Sequence, residues 1–126
     1  RGGLGQYMEV GAQDGHEFDL SAMFDRVDHP ARGRRGGASG APTTIAQDDG
    51  TAMRGKGKQF VPHGRRVRMA FPGGAGYGDP TARDKALVRR DLLRGYISSE
   101  AAARDYGLTA QEIAEVAAAR AGGEES

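Results

Sequence analysis

Cysteine is absent from this chain, and so is tryptophan. The first absence excludes a disulfide scaffold and any thiolate metal site. Aromatic residues make up only 6% of the chain and apolar residues 37%, while glycine occurs 21 times in 126 residues. That is a thin core for one modest domain, so the chain is expected to need another domain or subunit to bury its surface. No run of about 20 apolar residues exists to form a membrane-spanning helix. No apolar stretch near the start reads as a signal peptide, and the expected location is cytoplasmic. The first residue is Arg1 rather than Met, with Gly2-Gly3 next, as expected of a cut inside a longer protein or of a processed end.

What the chain does have is a dense glycine turn, Phe71-Pro-Gly-Gly-Ala-Gly-Tyr-Gly-Asp-Pro80. Gly73, Gly74, Gly76 and Gly78 make its backbone permissive and open to close approach. Asp79-Pro80 then reads as a helix cap and first helical residue. The turn has neither the Lys-Ser/Thr of a Walker loop nor a dinucleotide-binding register. A backbone anion nest at a helix start is physically allowed. Asp79 would itself occupy that start, however, so the turn is read as a hinge of fixed shape with Tyr77 as its packing anchor.

The segments before the turn read as strands. Residues 4–12 and Glu17 to Val27 flank Gln13-Asp-Gly-His16, a hairpin signal, and Phe18, Leu20, Ala22 and Phe24 alternate with polar positions. His29 to Gly50 is a long irregular segment, and loops of that length are usually functional or disordered. Thr43 to Ala46 reads as a short strand, Phe60-Val61 as the end of a strand before Pro62, and Arg66 to Phe71 as the strand entering the turn, with Val67, Met69 and Phe71 on one face.

After Pro80 the period becomes helical. Val88, Leu92 and Tyr96 recur at four-residue spacing in a helix over Asp84 to Arg94, with Gly95 behind it. Ser98 or Ser99 starts a second helix ending at Tyr106, before Gly107. Thr109 and Glu112 make a capping box for a third, stapled by Leu108 and Ile113, and residues 122–126 are expected to fray. The expectation is an α+β fold, with a β-rich region over residues 1–79 and a helical tail over 80–126.

Net charge is +1, unevenly spread. Nine Lys/Arg between Arg32 and Arg68 face only Asp48 and Asp49, whereas six acids follow Ser98 against Arg104 and Arg120. Arg26, Arg32, Arg34 and Arg35 cluster around Pro30, a set that grips a carboxylate or phosphate, or serves as an interface salt-bridge set. His16, His29 and His63 lack metal-motif spacing, so no metal site is expected within this chain. The helix, glycine turn and helix around Gly107 have a helix-turn-helix cadence, but Glu112 and Glu115 on the second helix argue against nucleic-acid binding.

Five strings together resemble the C-terminal end of the hydantoinase B/oxoprolinase family. They are Arg1-Gly-Gly-Leu-Gly5, Phe24 to Gly37, Arg54-Gly-Lys-Gly-Lys-Gln-Phe-Val-Pro62, Pro72 to Pro80, and Arg83-Asp84 with the helical positions up to Gly107. The resemblance implies the C-terminal part of a B-type subunit, such as that of N-methylhydantoinase or 5-oxoprolinase. It implies, as partners, the rest of that subunit and a hydantoinase A-type companion that uses ATP to activate a cyclic amide for hydrolysis. Phosphorylating the amide oxygen would turn it into a better leaving group. Any divalent metal is expected outside this chain. Related acetone and acetophenone carboxylases keep an ATP-dependent carboxylase subunit open as an alternative, and a non-catalytic module that docks the companion is a third. Arg32 and Arg35 are the substrate-binding candidates, holding a phosphorylated or carboxylate-bearing intermediate.

Overall fold

Five strands and three helices follow one another along the chain in the computed structural model, which describes residues 1–123. The chain divides into two compact units. The first comprises Arg1–Arg34 and Ala38–Gly76; the second comprises Arg35–Gly37 and the chain from Tyr77 onward.

In the first unit, β1 (Gln6–Gly11) pairs antiparallel with β5 (Arg66–Phe71), and β5 pairs antiparallel with β3 (Thr44–Gln47). A separate two-stranded sheet joins β2 (Phe18–Met23) to β4 (Lys56–Val61). Alternation decides which faces meet. Val67 and Met69 of β5, Ile45 of β3 and Val61 of β4 are buried in one cluster, with Phe18, Leu20, Phe24 and Phe71 packed against it. Phe24 and Phe71 meet ring to ring, centroids 5.5 Å apart.

The hairpin expected between β1 and β2 does not form, since the two strands lie in different sheets. Asp14-Gly15 sits in a 3-10 turn with φ of 51° and 71°, so the dipeptide does reverse the chain. The turn is a corner from one sheet to the other, and it runs beside the β4–β5 corner, where the Gly64 N–H donates to the Gly15 carbonyl at 2.8 Å. β5 captures β1 instead, through Met8 opposite Met69, Val10 opposite Val67, and Glu9 between Arg66 and Arg68. Cross-strand pairs of this kind decide pairing and are invisible to a local turn signal. Gly57 lies within β4 opposite Ala22, with open space where a Cβ would stand.

The second unit is built from α1 (Lys85–Leu93), α2 (Ser99–Arg104) and α3 (Ala110–Ala121). Asp84, Ser98 and Thr109 cap the three N-termini with side-chain acceptors, and Thr109 with Glu112 completes the capping box. Gly95 and Gly107 take φ of 70° and 65° just past α1 and α2, as helix-ending glycines do. Val88, Leu92, Ala102, Leu108 and Val116 form the core, with Ile113 beside it. The expected fraying over residues 122–126 lies partly outside the described residues, at 124–126. Among the described residues no helix is long and apolar enough to cross a membrane.

Candidate functional site

The long segment between β2 and β3 carries the arginine cluster, and backbone hydrogen bonds tie it to the glycine turn. The Arg34 N–H donates to the Gly76 carbonyl at 3.0 Å, and the Gly76 N–H returns a bond to Ala38 at 2.9 Å. Arg26 reaches the Gly73 carbonyl through its guanidinium at 3.4 Å. On its other side the turn meets the N-terminal segment, where the Gly74 N–H donates to the Gly3 carbonyl at 3.2 Å. A Cβ on Gly73 would stand 1.8 Å from the Gly3 oxygen, and one on Gly2 would stand 2.0 Å from the Gly74 oxygen. These glycines therefore serve an approach of backbone to backbone, not of backbone to ligand.

That arrangement answers the question of an anion nest. The N–H groups of Gly74 and Gly76 already have carbonyl acceptors. Asp79 caps the 3-10 turn at Pro80–Ala82, accepting from the Thr81 hydroxyl and backbone N–H, both at 2.8 Å. Those two bonds, the hydroxyl first, hold the Asp79 carboxyl below its ordinary pKa and keep it charged at the helical start. Within the second unit Gly78 has φ of 78°. Tyr77, expected to anchor packing, is 70% exposed instead. Its ring faces the Arg35 guanidinium, whose central carbon lies 5.9 Å from the ring centroid, at the outer range of a cation–π contact.

Two groups of cations contrast. On the outer face of the three-stranded sheet, Arg66 and Arg68 share the Glu9 carboxylate, and Arg65 faces Asp48 and Asp49. Hydrogen bonds from Arg68 and then Arg66 hold the Glu9 carboxyl below its usual value. In the irregular segment the pattern is reversed. Arg26, Arg32, Arg34 and Arg35 are exposed, and among the described residues none forms an ion pair with a carboxylate. Of the two substrate-binding candidates, Arg32 belongs to the first unit and Arg35 to the second. The Arg54 guanidinium donates to the Lys58 carbonyl at 3.2 Å, and Lys56 pairs with Asp25 at 2.8 Å. The register of β2 on β4 brings these two beside the arginine segment. The cation alternation in Arg54-Gly-Lys-Gly-Lys58 marked them in the sequence, but only the pairing shows what they adjoin.

No group of three or more metal-ligating side chains is gathered among the described residues. The acids of α3 are likewise engaged, since Arg89 of α1 bonds both Glu112 and Glu115.

The hydantoinase B/oxoprolinase family model matches residues 1–80, a span that ends within the glycine turn and short of the helices. An uncharacterized protein of Methanocaldococcus jannaschii is 34% identical over 90 residues, 69% of this chain and 16% of its own length. The beta subunit of the caprolactamase of Pseudomonas jessenii is 44% identical over 45 residues, 36% of this chain and 8% of its own. A protein named as the B-type subunit of a D-/L-hydantoinase in Pseudomonas sp. strain NS671 is 36% identical over 53 residues, 42% of this chain and 9% of its own. The chain thus spans between 8% and 16% of the length of these curated relatives. No solved structure matches it.

Proposed function

The chain belongs to the hydantoinase B/oxoprolinase family, and on that premise we propose that it is part of a B-type subunit of a multi-subunit enzyme that opens cyclic amide rings. The observation that carries this reading is the family match over residues 1–80, which takes in both the arginine segment and the glycine turn. Two relatives named for caprolactamase and hydantoinase subunits support it. An amide carbonyl is a poor electrophile, so the reaction assigned here draws on ATP, bound by an A-type companion subunit. The net change consumes the cyclic amide, two molecules of water and ATP, and yields the ring-opened acid, ADP and phosphate. The share assigned to this chain is electrostatic. Exposed arginines that have no acidic partner among the described residues, Arg32 and Arg35 among them, favour an anionic intermediate or product.

The test co-expresses the full-length subunit with its companion and follows ATP hydrolysis with ε-caprolactam, hydantoin and 5-oxoproline in turn. Stimulation by at least one, with ring-opened product formed, is expected. Stimulation by none of them overturns the reading. In the same assay Arg32→Ala and Arg35→Ala are expected to lower kcat/KM, and unchanged kinetics would remove that residue from the substrate-binding set.

A further inference from the structure

A cleft of about 340 Å³ opens beyond the end of β2, between residues 24–29 and 54–56. Phe24 and Val27, which also pack against the core, supply the apolar part of its lining. Arg26, Arg54 and Lys56 line it with positive charge, and His29 adds an imidazole. Two acids are present as well. Lys56 takes Asp25, whereas Asp28 has no cationic side chain paired with it among the described residues.

Several contacts hold the cationic wall in place. Arg26 adopts φ of +61°, a left-handed conformation that costs a non-glycine residue. Buried Thr43 fastens that conformation, its N–H donating to the Arg26 carbonyl at 2.9 Å and its hydroxyl to the Asp25 carbonyl at 2.8 Å. Strain held by its surroundings in this way is a pointer toward function. The Gln59 side chain clasps Arg54 at both backbone groups, accepting from its N–H at 2.7 Å and donating to its carbonyl at 2.8 Å. Gly55 lets the strand close on Val27, since a Cβ there would stand 2.6 Å from a Val27 methyl carbon.

We propose that this cleft binds a small carboxylate carrying an amino group at its far end, the product class of lactam opening. Arg26 and Arg54 grip the carboxylate, Phe24 and Val27 cover the methylene chain, and Asp28 takes the ammonium. The choice of ligand rests on the ring-opening reading above; the cleft, and its two arginines that have no acidic partner among the described residues, do not. The volume is in the range of small-molecule sites. Arginine forks without acidic partners suit a carboxylate better than a hydrated lysine does.

The full chain, isotopically labelled, is titrated with 6-aminohexanoate, hexanoate and inorganic phosphate while its amide resonances are followed. Saturable shifts confined to residues 24–29 and 54–56 are expected with both carboxylates. Arg26→Ala and Arg54→Ala should each weaken binding about tenfold or more. Arg26→Lys and Arg54→Lys keep the charge without the fork and should weaken it less; native amide dispersion in every variant shows that the fold persists. Asp28→Asn should weaken 6-aminohexanoate but not hexanoate. The proposal is overturned by the absence of saturable shifts at these amides, by affinity unaltered in the alanine variants, or by phosphate binding there more tightly than either carboxylate. Ring opening assayed in parallel, on the full-length subunit with its companion and ATP, separates the two readings. Binding without turnover of any cyclic amide sinks the enzymatic reading and leaves the cleft, whereas turnover without binding sinks the cleft alone.

Discussion

Arg66 and Arg68 meet an acid on the face of a regular sheet and Arg65 meets two at its end, while among the described residues Arg26, Arg32 and Arg34 meet none in the irregular segment of the same unit. Both sets are exposed, so desolvation does not explain the difference. On the sheet, Glu9 sits opposite Arg68 and diagonal to Arg66, and the pairs help choose β5 over β2 as the partner of β1. Charge there is part of the fold's specification. In the irregular segment, backbone hydrogen bonds to Gly76 and Ala38 and the side-chain contact at Gly73 hold the chain without any acid. Apart from that one contact of Arg26, the positive charge is left over from folding, which is what an anion-binding surface requires. The comparison teaches that charge clustering in a sequence becomes informative only when the engaged cations are subtracted.

The largest effect should come from Gly73→Ala. Its new Cβ would overlap the Gly3 carbonyl, a backbone atom that cannot rotate away. The N-terminal segment must then leave the turn, at a cost of about 3 kcal/mol, the upper part of the range for overpacking. Urea denaturation reads the loss. Hydrogen exchange should localise it to residues 1–5 and 72–76 and leave the Glu9–Arg68 face protected. Uniform loss across the sheet would mean that the two regions are not held independently.

Arg26→Gly sharpens the comparison from the other side. If left-handed Arg26 is kept for its charge, glycine should fold slightly better there. Relief of the steric cost outweighs the added chain entropy by roughly 0.5 kcal/mol. Arg26→Ala keeps the strain and should show no gain. A glycine variant less stable than the alanine variant would show that the conformation is not strained.

The legibility of these features in the sequence follows their range along the chain. The helices were readable because caps, glycine stops and the staple of Leu108 with Ile113 act within five residues of one another. The β1–β5 pairing was not, because its deciding contacts join residues nearly sixty positions apart. The glycines of the turn announced close approach, but nothing local revealed that Gly2, Gly3 and Gly5 supply the other side. For the site, Arg32 and Arg35 were visible as clustered charge, and the structure assigns them to different units. Arg54 and Thr43 became informative only through the β2–β4 register and the backbone of Arg26. Tyr77 was misjudged because a tyrosine among glycines reads as an anchor until its exposure is known.

The paired set has its own signature in acid. Hydrogen bonds from Arg68 and Arg66 hold Glu9 below its ordinary value of 4.5, so the folded state favours the carboxylate. That stabilisation is present in full above the unfolded value and is lost as pH falls through the lower folded value. Glu9→Gln removes it, and the difference in Tm between pH 7 and pH 3 should narrow. An unchanged acid limb would mean that Glu9 contributes charge neutralisation but no pairing energy, and the sheet arginines would then resemble those of the irregular segment.

The smallest expected effect makes the sharpest demand on the comparison. Arg32 is exposed, and its side chain makes no hydrogen bond or ion pair among the described residues. Arg32→Ala should therefore leave stability within about 0.5 kcal/mol of the parent, as for a surface position away from any structural contact. Arg68→Ala gives the contrast, because it strips Glu9 of a hydrogen bond on the sheet face and should lower Tm at neutral pH. Measured side by side in urea and by thermal scan, the two substitutions should separate in stability. If Arg32→Ala costs as much as Arg68→Ala, then Arg32 is a structural residue and the irregular segment holds no charge in reserve for an anion.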